Sequence, residues 1–172
     1  MFLGVEALTL GILNALQLIP TYEKRLQASV ERDPDYFYSM AAILRAKILI
    51  KTPPRPLSIG NVSKGLKVLD NVSQSARNKM AIWHLFYAEG ELLLEGPGVA
   101  LKRLHGIQDS VLPVDIATAV TLDQTLSDAV YFESVIEKKK YNKYTWDPVL
   151  IPAKPSAKFK FTKTVIKGPK RD

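Results

Sequence analysis

Along the first 140 positions the apolar residues recur at the three- to four-residue spacing of helices that bury one face. Residues 1–19, MFLGVEALTLGILNALQLI, form a nearly continuous apolar run broken by Glu6, Asn14 and Gln17. Pro20 suits the first turn of a second helix, in which Tyr22, Leu26 and Val30 share a face before Asp33-Pro34 ends it. A third helix is expected from about Asp35 to Ile50, carrying Tyr36, Met40, Ile43, Leu44 and Ala46. Three prolines and a glycine in KTPPRPLSIG, residues 51–60, forbid regular helix, and Leu57 and Ile59 offer this loop apolar anchors. Asn61 then caps a helix with Val62, Leu66, Leu69 and Val72 on one face. A fifth helix is expected from about Ala76 to Leu94, giving Ile82, Trp83, Leu85, Phe86 and Leu92 or Leu93 to the core. Gly96-Pro97-Gly98 turns into a short helix with Ala100, Leu101, Leu104 and Ile107. Pro113 precedes a seventh helix over 114–138 that should bury Ala117, Val120, Leu126, Ala129, Val130 and Val135. No strand pattern occurs before residue 145, so the body reads as all-α.

The third helix pairs with the fourth and the fifth with the sixth. Each pair is a long helix, a turn and a shorter helix, with Gly65 in one and Ala100 in the other at the close approach. Antiparallel hairpins that bury their faces against one another make a TPR-like α-solenoid. Three stretches carry a family likeness: Asp33-Pro34-Asp35-Tyr36, Pro53-Pro54-Arg55-Pro56-Leu57-Ser58-Ile59-Gly60, and Leu85-Phe86-Tyr87-Ala88-Glu89. In order and spacing they resemble the bacterial tetratricopeptide-like proteins of the TatT type, associated with TRAP transporters. The likeness covers residues 1–107 and extends more weakly into the seventh helix. It implies an α-solenoid, and a periplasmic, transporter-associated ligand-binding role at the cell envelope. No lipobox cysteine and no cleavable signal is visible in the sequence.

Charge divides the chain differently. Of 24 Lys and Arg, eight fall in residues 143–172 beside two acids, so this tail carries +6 of the formal +7. Four of the eleven prolines lie there as well, which opposes helix. The division is therefore a helical repeat domain over 1–140 and an extended, basic Pro/Lys-rich tail over 141–172. Within the tail, Lys158-Phe159-Lys160-Phe161-Thr162-Lys163 alternates with the two-residue period of a strand. Such a segment is expected to lie on another chain, anchored by Trp146, Phe159 and Phe161 with Lys158 and Lys160 beside them. Nucleic acid or an anionic surface is the alternative partner for its lysines.

Candidate chemistry is sparse. Without cysteine there is no thiolate metal site and no thiol nucleophile. His84 and His105 lie on different expected helices, His84 partly buried beside Trp83 and His105 on the surface, too few for a metal site. Glu89, Glu91 and Glu95 are read as a solvated helix face. No Gly-rich phosphate loop or nucleophile elbow is present. No enzyme, cofactor or metal is expected. Tyr36, Phe37 and Tyr38 open a repeat helix, and exposed aromatic residues there are the usual anchors for a bound segment; Tyr36 and Tyr38 are the candidates. Residues 1–19 are read as a buried helix, with peripheral membrane association as the alternative, because Glu6 is costly inside a bilayer. The expected function is a non-enzymatic scaffold or accessory subunit that holds protein partners in a larger assembly.

Overall fold

The computed structural model describes residues 12–138. Among them are eight helices and no strand: α1 (Ile12–Arg32), α2 (Tyr36–Lys51), α3 (Val62–Asp70), α4 (Gln74–Arg77), α5 (Ala81–Leu94), α6 (Pro97–His105), α7 (Ile107–Ser110) and α8 (Ile116–Glu137). The body is all-α, as the spacing of apolar residues implied. The tail over 141–172 and most of residues 1–19 lie outside the described residues, and with them Trp146, Lys158, Phe159, Lys160 and Phe161. No helix among the described residues is long and apolar enough to cross a membrane.

The organising element is α5. Its sequence, AIWHLFYAEGELLL, is apolar on nearly every side, which requires burial all round rather than on one stripe. It packs against α2, α3, α4, α6, α7 and α8, while α1 lies on α2. Leu85, Phe86 and Ala88 are fully enclosed, with Ile43, Leu69, Met80, Ala100, Ile107 and Phe132 supplied by the surrounding elements. Close approach has a sequence cause at Gly65. A Cβ there would stand 2.6 Å from the Ile50 side chain and 3.0 Å from the Ala46 carbonyl oxygen, so α3 meets α2 only because the residue is glycine. The Asn61 cap is present, its side chain accepting from the Lys64 amide at 2.8 Å, and Val62, Leu66, Leu69 and Val72 are all buried behind it.

Several expectations need correction. Pro20 does not open a second helix; α1 runs continuously through it from Ile12. The fifth helix is in two pieces. Ser73 caps the single turn α4, its hydroxyl accepting from the Ala76 amide at 3.3 Å, and buried Met80 is extended before α5 begins. That break leaves the Asn78 carbonyl to accept from the Leu112 amide at 2.8 Å. The 51–60 loop is held by its own backbone, with Gly60 donating to Pro53 at 2.9 Å and Asn61 to Leu49 at 2.7 Å. Ser58 is buried and Ile59 half-buried, yet Leu57 is 75% exposed and anchors nothing. On α8 the buried stripe is Thr118, Thr125, Asp128, Ala129, Phe132, Val135 and Ile136. Ala117, Val120 and Val130 face outward instead, because the bulk of Phe132 and the Asp115–Thr118 capping box set the rotation of the helix.

Leu85→Ala should cost about 2–5 kcal/mol, since Leu85 is wholly enclosed in the core around α5. Leu57→Ala should stay within about 0.5 kcal/mol. Urea unfolding of both variants checks the pair.

Candidate functional site

Two regions concentrate polar chemistry on this frame. The first surrounds α5. Glu89 is 1% exposed and Glu91 5%, so neither belongs to a solvated face; only Glu95, at the helix end, is exposed. A helix enclosed on all sides must bury whatever charges it carries, and each then needs a partner. Lys47 on α2 donates to Glu89 at 2.5 Å and also stands 4.5 Å from the centre of the Phe86 ring. Arg103 on α6 grips Glu91 with two bonds of 2.6 Å, the paired geometry that the planar guanidinium favours. The same guanidinium lies 4.1 Å over the Tyr87 ring and 5.5 Å from that of Trp83. Arg77 approaches Trp83 to 5.1 Å and donates to the carbonyls of Val72 and Asp70. Trp83 in turn donates its indole N–H to the Leu69 carbonyl at 3.0 Å. These groups bind one another, and the network joins α2, α3, α4, α5 and α6.

Titration follows from this enclosure. Burial first, and then the charge of Arg103, lowers His84 to about 4, while a hydrogen bond with the Arg77 backbone pulls the other way. His84 sits beside Trp83 with the rings edge to face at 4.8 Å, and its Nε2 has no hydrogen-bond partner among the described residues. Burial and the bond from its hydroxyl to Asp70 push Tyr87 up to about 12. His105 is exposed at the end of α6 and lies 3.3 Å from Glu133 of α8. That pair borders a shallow cleft of about 290 Å³, lined by Leu104, Gln108, Leu126 and Ala129. No group of three or more His, Asp or Glu able to hold a metal occurs among the described residues.

The second region is a surface. Asp33-Pro34-Asp35 leads into α2 through Phe37, Tyr38 and Ser39, whose φ angles of 46°, 54° and 60° are left-handed. For residues with a Cβ this conformation costs roughly 1–2 kcal/mol each, so something outside the turn must hold it. The Tyr38 hydroxyl donates to Asp115 at 2.7 Å, and Lys79 lies 5.3 Å from the Tyr38 ring. That bond holds the Asp115 carboxyl below, and the Tyr38 phenol above, their ordinary ranges. Ser39 is buried. The turn therefore stands beside the α7–α8 connection, and both display apolar side chains outward. Tyr36 is 68% exposed, Leu112 75% and Ile116 74%, with Phe37, Val114 and Val120 also exposed.

Of the residues singled out in the sequence, Tyr36 points into solvent, whereas Tyr38 is half-buried and serves to tie the turn to α8. The sequence places Val114 and Ile116 in the seventh helix and singles out neither of them nor Leu112; in the structure that helix starts only at Ile116. The available signal was a V-L-P-V-D-I run whose apolar residues no helical stripe accounts for.

Two outcomes are expected. Lys47→Met should lose about 3–5 kcal/mol by removing the ammonium that faces the enclosed Glu89, and adding Glu89→Leu should recover most of it, in denaturant titrations. For His84, the folded state stays neutral to about pH 4 while the unfolded imidazole protonates near 6.5. The unfolded chain thus binds more protons between these values, and stability present above pH 6.5 declines as the pH falls toward 4, by up to about 3 kcal/mol. His84→Asn should flatten that decline, measured by unfolding at about pH 7 and about pH 4.5.

Comparison of the chain with protein-family models, with curated proteins and with solved structures gives no match, so the reading of this face rests on its own geometry.

Proposed function

We propose that this protein is a non-enzymatic helical scaffold, an accessory subunit that holds protein partners in a larger assembly. In this reading α2 with α3 and α5 with α6 are two TPR-like hairpins, packed together through α3 and α5. The observation that carries the proposal is the apolar face formed by Tyr36, Phe37, Leu112, Val114 and Ile116. Water-exposed apolar side chains gathered in one place, beside a backbone held in a costly conformation, mark a surface that gains by being covered. Large aromatic and aliphatic anchors at its centre are the usual source of binding energy. The basic tail adds a second, tethered attachment, which raises avidity without a new strong site.

The test is recovery of co-purifying chains from native cells in mild detergent, quantified by mass spectrometry. A Phe37→Asp/Ile116→Asp variant should lose a defined set of partners that Leu57→Asp retains. Both changes lie on exposed side chains, and an acid at position 116 suits the first turn of α8. Equal recovery with all three proteins would overturn the proposal. Binding of generic nucleic acid that collapses with salt and needs residues 145–172 would favour the nucleic-acid reading instead.

A further inference from the structure

The apolar face has an acidic rim. Asp33 and Asp35 flank Pro34 immediately before Tyr36, Asp115 lies between Val114 and Ile116, and Asp123 follows Val120 by one turn on the exposed side of α8. All four carboxylates are exposed; Lys79 lies by the Tyr38 ring and Arg32 precedes Asp33 in the chain. Its complement is therefore a segment that offers large apolar side chains flanked by positive charge. The chain contains one such segment in its own sequence, Lys158-Phe159-Lys160-Phe161-Thr162-Lys163.

Geometry permits the meeting. α8 has 22 residues, about 33 Å at 1.5 Å per residue, and its first turn lies at the face while Lys138 lies at the far end. The nineteen residues between Lys138 and Lys158 make twenty steps that reach about 66 Å when extended, twice the distance needed to return. A tethered segment within reach has an effective concentration of order millimolar, which favours it over the same segment on a second copy at ordinary protein concentrations. In extended form Phe159, Phe161 and Lys163 fall on one side and Lys158 and Lys160 on the other. Lys163 therefore meets the rim directly, while Lys158 and Lys160 reach it by bending their four-carbon stems round the edge of the segment.

We propose that in the absence of a partner the face made by Tyr36, Phe37, Leu112, Val114 and Ile116 is occupied by residues 158–163 of the same chain. The inference rests on the reading of this face as a binding surface, and names the chemistry it recognises: an extended basic-aromatic segment. An incoming partner with that chemistry competes for the face and releases the tail for its own attachment.

The test places a photoreactive benzoylphenylalanine at position 161 of the full-length chain, irradiates dilute protein and maps the cross-links by mass spectrometry. Cross-links within a monomeric species to residues 33–38 and 112–120 are expected. They should fall at least several-fold in Phe37→Asp/Ile116→Asp and in Asp33→Lys/Asp35→Lys, and persist in Leu57→Asp, with circular dichroism confirming that each variant is folded. Asp33 and Asp35 also accept from the Asp35 amide and the Ser39 hydroxyl, so an Asp123→Lys variant, at an exposed rim position on α8, keeps the test informative if that turn shifts, and should lower the same cross-links. Cross-links to other parts of the body, cross-links only in a dimeric species, or indifference to both face variants would each overturn the inference. If that happens while partner recovery still depends on Phe37 and Ile116, the binding face stands and only its occupant is wrong.

Discussion

Everything in this fold follows from enclosing one helix on all sides. Because α5 is apolar on nearly every side, six other elements contact it, and nine of its fourteen residues are buried. The same enclosure places Glu89 and Glu91 where water does not reach. Carboxylates there are tolerable only with cations delivered by neighbours, so Lys47 and Arg103 fix where α2 and α6 lie relative to α5. A hydrophobic centre would accept many rotations of the surrounding helices. Two ion pairs with short bonds accept few, and the aromatic groups over which Lys47 and Arg103 lie narrow the choice further.

The surface at the start of α2 depends on that frame. Three consecutive left-handed residues would relax to an ordinary helical turn in an isolated peptide. Here the Tyr38 hydroxyl is held by Asp115, and Asp115 is itself fixed because it caps α8 through the Thr118 amide at 2.7 Å. α8 in turn is positioned by the burial of Phe132 and Ile136 in the core around α5. Strain at the face is therefore sustained by burial elsewhere. The consequence is that Tyr36 and Phe37 are displayed on a backbone already fixed by contacts elsewhere in the fold.

How far the sequence revealed this can be judged residue by residue. Helix existence was legible wherever one apolar stripe met a cap or a proline, as at Asn61 and at Gly96-Pro97. The rotation of α8 was not, because Thr118, Thr125 and Asp128 occupy the buried stripe while Val120 and Val130 face water. Apolarity alone assigns these residues the wrong way round. The carboxylates of α5 were misread for a related reason. Acidic residues in a helix read as exposed unless the helix is known to be central, and centrality is a property of the whole assembly of helices. Tyr36 and Tyr38 could be named in advance as aromatic candidates, of which Tyr36 is exposed and Tyr38 is not; Phe37 and the neighbours across the Tyr38–Asp115 bond, 77 positions away, could not.

Chemistry is confined by the same logic. The polar groups of the body that are withdrawn from water are largely engaged with one another: Glu91 with Arg103, Lys47 with Glu89, Trp83 with the Leu69 carbonyl. A carboxylate gripped by two guanidinium N–H groups is a poor base, and an imidazole pushed to about 4 by burial carries no proton to give near neutrality. His105 and Glu133 do pair at the rim of a cleft, but His105 is exposed and its surroundings do not exclude water. Among the described residues, the apolar face and its acidic rim are instead open to solvent. On the proposed reading, that composition suits recognition of a side-chain pattern, aromatic between cations, by a surface whose backbone is held from the enclosed core rather than by the ligand.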